Sequence, residues 1–154
     1  MIMYLILLHG LLAVVLLGGI THQAVAVAWP SRSKSGIANS YRATNSSVYT
    51  NANIVLYLAT AILGGIIYPV YRVGVRSFLE NARLFAATGS FELKEQFVAV
   101  GVGMLPLYWL LWNRPLEDGA KPARIAVTLI LCAITWYGFL VGHVLNNIRG
   151  LFGL

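Results

Sequence analysis

The sequence predicts an all-α integral membrane protein, with four transmembrane helices in an antiparallel bundle and both termini on the same side. Three observations predict it. The 154-residue chain is 58% hydrophobic and only 10% charged, with a mean hydropathy of +0.74, whereas a soluble domain carries about 25% charged residues. The shortage of charge is uneven: long apolar runs alternate with short polar ones, as bilayer-spanning helices and their connections require. A soluble bundle would also have to cover four unbroken apolar helices with almost no polar surface.

The first span covers about 2–28. It resembles a secretory leader in having small residues (Ala24, Ala26, Ala28) after an apolar run, but it lacks a basic start and its apolar run is long. It is therefore read as a membrane helix, ended by Pro30 with Trp29 as an interface anchor. The second span covers about 54–71 and is expected to continue to about 85 as an amphipathic extension, "RVGVRSFLENARLF". The third covers about 97–112, entered through a polar turn, "ELKEQ", after a break at Gly89. The fourth covers about 125–148. Each is long enough to cross ~30 Å of hydrocarbon at ~1.5 Å per residue with some tilt.

The connections differ. Residues 31–53 are rich in Ser, Asn and Thr and read as a solvated polar loop, whereas "NRPLEDGAKPAR" reads as a tight turn. No internal repeat or low-complexity segment is present, and the chain forms a single membrane domain. Four spans place both termini and the second connection on one face of the membrane, here side A. The eleven basic residues divide into five on side A (Arg72, Arg76, Arg83, Lys94, Arg149) and six on side B (Arg32, Lys34, Arg42, Arg114, Lys121, Arg124). The positive-inside rule therefore leaves the orientation open. The net charge of +6 is scattered, with no basic run or stripe. It suits anionic headgroups rather than nucleic acid.

The histidines carry the functional signal, because an imidazole in hydrocarbon needs a partner or a role. His9 lies about 10 Å in from side A, and His143, in "GFLVGHVLNNIRG", about 8 Å in. The first and fourth spans run antiparallel, so the two fall at matched depth. That is the arrangement a bis-histidine b-type haem requires. Gly10, Gly138 and Gly142 would let a porphyrin or a helix approach closely. Arg72 and Arg76, four apart at side A, would meet haem propionates. Tyr68, Tyr71, Trp136 and Phe139 would line the macrocycle.

Each feature also has an ordinary structural explanation. Glycines pack membrane helices, interfacial arginines bind headgroups, aromatics form the interfacial belt, and a histidine near a helix end bonds a neighbour or interfacial water. His22 is about 20 Å along the helix from His9, so one haem or metal cannot use both. Met104 lies at a loosely similar depth, but interfacial hydrogen bonding explains His22 better. No HxxxH, HxH or CxxC points to zinc or copper, and the single cysteine, Cys132, lies inside a span. No nucleophile motif or phosphate-binding loop appears. The acids Glu80, Glu92, Glu95, Glu117 and Asp118 all fall outside the expected span centres, which argues against a proton or ion pathway.

Two readings follow. In the first, the chain is a small subunit of a larger respiratory or photosynthetic complex in an energy-transducing inner or plasma membrane. It would have no catalytic activity alone and would carry electrons on a haem b held by His9 and His143. Its partners would be the lipid bilayer, other membrane subunits and a quinone. In the second, it is a cofactor-free structural or assembly subunit that packs its glycine faces against larger partners. A small oligomeric channel or transporter is the least supported reading, because the span centres lack polar lining.

Overall fold

The computed structural model describes residues 2–28, 46–115 and 119–151, and every element among them is helical. Helix α1 is Ile2–Ala28 and α2 is Val48–Val70. A π-helical segment, Tyr71–Arg76, joins α2 to the short α3, Ser77–Asn81. Helix α4 is Phe85–Asn113 and α5 is Ala120–Leu151. Four stretches are long and apolar enough to cross a membrane: Ile2–Ala28, Val48–Asn81, Phe85–Asn113 and Ala120–Ile148. The chain is thus an all-helical integral membrane protein.

The packing is a ring. Helix α1 lies between α2 and α5, and α4 lies between α5 and α2. Each neighbour in the ring runs opposite to the last, so the start of α1, the α3–α4 connection and the end of α5 share side A. Large aliphatics face outward: Leu11 is 66% exposed and Val55 65%. The interior holds an apolar core together with polar groups, among them Gln23, Thr50, Asn53 and Thr128. This distribution suits lipid, where apolar exteriors cost nothing and helices associate by packing and interhelical hydrogen bonds.

The ring is tight at one end. In its side B half, Leu16 and Ile20 of α1 and Tyr57 of α2 meet Leu105, Tyr108 and Trp112 of α4. Val127, Leu131 and Ile134 of α5 complete that core. A polar knot stands within it. Asn53 Nδ2 donates to Gln23 Oε1 at 2.8 Å and to the Tyr108 hydroxyl at 3.2 Å. Gln23 Nε2 donates to the Ser46 carbonyl at 2.7 Å and the Thr50 hydroxyl at 3.0 Å, and the Tyr108 hydroxyl donates to Gln23 Oε1. Three helices are thereby tied at one level.

The element limits depart from the sequence expectations for local reasons. Helix α2 starts at Val48, so part of the expected 31–53 loop is helical; residues 31–45 lie outside the described residues, as do Trp29, Pro30, Glu117 and Asp118. Pro69 lies inside α2. Its ring removes one N–H and crowds the carbonyl four residues back, and the helix widens to π geometry immediately after it. The break before α4 falls not at Gly89 but at Arg83, whose φ of 59° is left-handed. There the Leu84 N–H reaches back to the Leu79 carbonyl at 2.8 Å and caps α3 as in a Schellman motif. Helix α4 therefore begins at Phe85, and "ELKEQ", expected as a polar turn, lies within it.

Candidate functional site

At side A the ring opens into a cavity of about 490 Å³ lined from all four long helices. Helix α1 contributes His9 and Gly10, α2 contributes Thr60 and Gly64, and α4 contributes Lys94 and Glu95. Helix α5 contributes Gly138, Phe139, Gly142, His143 and Asn146. The antiparallel run of α1 and α5 thus brings both sequence-predicted histidines to one cavity.

Their surroundings differ. His9 is half-buried, and its Cε1 lies 3.3 Å from where a Cβ on Gly64 would sit, with Nδ1 at 3.9 Å. The ring is therefore seated close against α2 at Gly64, where a side chain would crowd it. Nδ1 is buried without a hydrogen-bond partner among the described residues. His143 is exposed and lies parallel to the Phe139 ring one turn earlier, with centroids 6.2 Å apart and planes inclined by 7°. On α5, Gly142 leaves open space where a side chain would stand, and Gly138 admits the stem of Lys94.

Lys94 and Glu95 were not expected here, because "ELKEQ" reads as a solvated turn when the helix is started at Phe97. With the helix started at Phe85, Glu95 is ten residues, about 15 Å, along it. The Lys94 side chain is only 13% exposed; its ammonium lies 2.8 Å from Glu95 Oε1 and 4.1 Å from the Phe91 ring centroid. The cavity thus holds two imidazoles and a neutralised ion pair. Glu95, expected in a solvated turn, lines this cavity instead.

The structure does not place Arg72 and Arg76 at the histidine cavity. Arg72 is exposed. Arg76 Nε meets Glu80 at 2.7 Å and its Nη1 meets Glu92 at 2.9 Å. Acids one turn along its own helix and across on α4 are nearer than anything in the seam between α1 and α5. Of the four aromatics expected to line the macrocycle, only Phe139 lines the histidine cavity. Tyr68 and Tyr71 turn instead to a second cavity, about 360 Å³, between the side A end of α2 and α4. Tyr71 stacks on Phe91 there, centroids 3.8 Å apart. Trp136 is 42% exposed and donates from Nε1 to the Thr21 hydroxyl at 3.0 Å.

His22 stands apart, at side B. It is buried, 6% exposed, with its ring centroid 4.9 Å from that of Tyr49. The adjacent Gln23–Asn53–Tyr108 knot escaped sequence reasoning. Its one signal was Gln23, a primary amide inside an otherwise apolar run, which needs internal partners in a membrane. Among the described residues, no group of three or more His, Cys, Asp and Glu is arranged to hold a metal ion. Comparison with protein-family models, with curated proteins and with solved structures finds no match for this chain.

Proposed function

We propose that this membrane protein is a small subunit of a larger energy-converting complex, and that its side A cavity would take a b-type haem held by His9 and His143. The observation that carries the reading is the shared cavity: two imidazoles from antiparallel helices, with open backbone beside them at Gly10 and Gly142. The residues fit the group in two respects. The donor set is the bis-imidazole pair of such centres. The cavity volume falls in the ~300–1,000 Å³ range of small-molecule sites. When bound, the haem would supply one-electron chemistry. His9 and His143 would hold and orient it, and the tight side B core would close that end of the cavity to water. Electrons would come from another subunit or a quinol, because the described residues form almost no extramembrane part.

A second reading keeps the same histidines without a cofactor. His9 seated on Gly64 and His143 laid along Phe139 are contacts that also serve packing alone. In that case the chain is a structural subunit. A reduced-minus-oxidised spectrum of the purified protein separates the two. The haem reading expects a b-type α-band that disappears in both His9→Ala and His143→Ala and survives in His22→Ala. Absence of the band from the intact complex, or its loss with His22→Ala but not His143→Ala, overturns the ligand assignment.

A further inference from the structure

We infer that the side A cavity is filled sideways from the bilayer, through a gap between α1 and α5 that admits a membrane-dissolved, single-chain amphiphile with an acidic head. The inference rests on the reading of this cavity as a ligand site, and adds the route and the chemical class of what enters. Most of the lining is apolar, with the Lys94–Glu95 pair on one wall. A ligand that suits both has an apolar body and a polar head.

Three of the four seams of the ring are bridged at the cavity. His9 of α1 rests against Gly64 of α2. The Tyr57 hydroxyl of α2 donates to the Val98 carbonyl of α4 at 3.2 Å. Lys94 of α4 lays its Cγ 3.7 Å from where a Cβ on Gly138 of α5 would sit. The seam between α1 and α5 differs. Its clasp is the hydrogen bond from Trp136 Nε1 to the Thr21 hydroxyl, and Thr21 lies about 16 Å along α1 from Gly10. On the side A side of that clasp, nothing lies within 4 Å of where a Cβ would sit on Gly10 or on Gly142. Residues that line the cavity here also face outward. Leu7 is 55% and Val14 53% exposed, and His143 is exposed on α5. A wall that belongs both to the cavity and to the outer surface marks an opening. It lies at the level of His9, about 10 Å in from side A, so hydrocarbon stands outside it.

A gap at that depth is filled by what the bilayer dissolves. An apolar chain finds Leu11, Val14 and Phe139 along the walls, with Leu16 and Ile134 of the core as the floor. Apolar contact alone does not select a ligand there, because lipid tails offer the same contact outside. Selection falls to the head. The Lys94 ammonium has three donors, and its bond to Glu95 leaves others for an acidic group. Lys94 is largely buried, so the charge it offers is weakly screened. A haem, with a broad apolar body and acidic groups along one edge, would need the same route.

The test is photolabelling of the full-length protein in vesicles with a fatty acid that carries a diazirine near its chain end, the labelled residues being mapped by peptide mass spectrometry. Labels are expected on Tyr57 and Thr135, which line the cavity and are buried, besides those on outward residues such as Val55 and Leu129. Gly10→Leu and Gly142→Leu fill the gap from opposite walls. Each is expected to cut the inner labelling at least fivefold and to leave the outer labelling unchanged. Gly18→Leu adds the same bulk away from the cavity, again with nothing within 4 Å, and is expected to change neither. If one leucine variant fails to fold, the other still decides. Lys94→Gln is expected to lower inner labelling by the fatty acid but not by the matching alkyl alcohol; an equal effect on both overturns the acidic head. The same labelling of His143→Ala, which cannot hold a bis-histidine haem, keeps an occupied cavity from hiding the route. Absence of inner labels from both wild type and His143→Ala overturns the proposal. So does inner labelling indifferent to both leucines. Failure of the haem reading alone would show as a missing α-band with the inner labels in place.

Discussion

A methyl group added at Gly101 would meet the hydroxyl of Tyr57, and one added at Gly19 would meet Asn53 Oδ1. Neither neighbour yields readily. Tyr57 is 6% exposed and donates to the Val98 carbonyl at 3.2 Å, and Asn53 is held in the knot with Gln23 and Tyr108. Gly18 has nothing within 4 Å of the same position. An alanine gains about 1 kcal/mol of helix propensity over glycine, while overpacking a tight site costs about 1–3 kcal/mol. Gly101→Ala and Gly19→Ala should therefore unfold at lower temperature than Gly18→Ala in a detergent melt. Equal melting temperatures would show that the rings and amides shift freely. The distinction between Gly18 and its neighbour Gly19 was not legible in the sequence. It depends on which residue of α2 stands opposite.

The helices show how one misplaced boundary moves a functional residue. Starting α4 at Phe97 strands Glu95 in solvent; starting it at Phe85 puts Glu95 in the bundle. The start is set by Arg83, whose left-handed φ of 59° lets Leu84 cap α3 and a new helix begin. No glycine marks the place, so turn chemistry read from sequence pointed to Gly89 instead. A non-glycine residue in this conformation costs on the order of 1–3 kcal/mol. Arg83→Gly should thus stabilise the protein by about 1 kcal/mol, visible as a raised melting temperature. A fall would mean that the arginine side chain contributes more than its backbone costs. The π-helical segment after Pro69 was likewise hidden: the proline was visible, but whether the helix would break, kink or widen depended on the helices around it.

At the scale of the whole molecule, the ring order α1–α2–α4–α5 makes side A the end where His9, His143 and both cavities lie. This is checked by labelling from one side of sealed vesicles with a membrane-impermeant thiol reagent, in a Cys132→Ala background. Cysteines at Ser77 and Asn147 should label from the same face, and a cysteine at Gly119 from the opposite one. Labelling of Asn147 together with Gly119 would break the antiparallel order and with it the His9–His143 cavity.

What the sequence by itself determined is the class and the placement in depth. A chain so poor in charge, with four apolar runs, has only the bilayer as a solvent for its surface, and the antiparallel order then levels His9 with His143. These are one-dimensional quantities, readable from hydropathy and a rise of about 1.5 Å per residue. Azimuth is not such a quantity. Which face of each helix turns inward was decided by packing, since apolar residues surround every helix and no polar stripe marks an inside. That is why Arg76 turns to Glu92 rather than to the histidines, why the Gln23 knot joins three helices, and why Lys94 and Glu95 stand beside His9. Only the tertiary structure could bring those side chains together, because their contacts are made between helices and not along them.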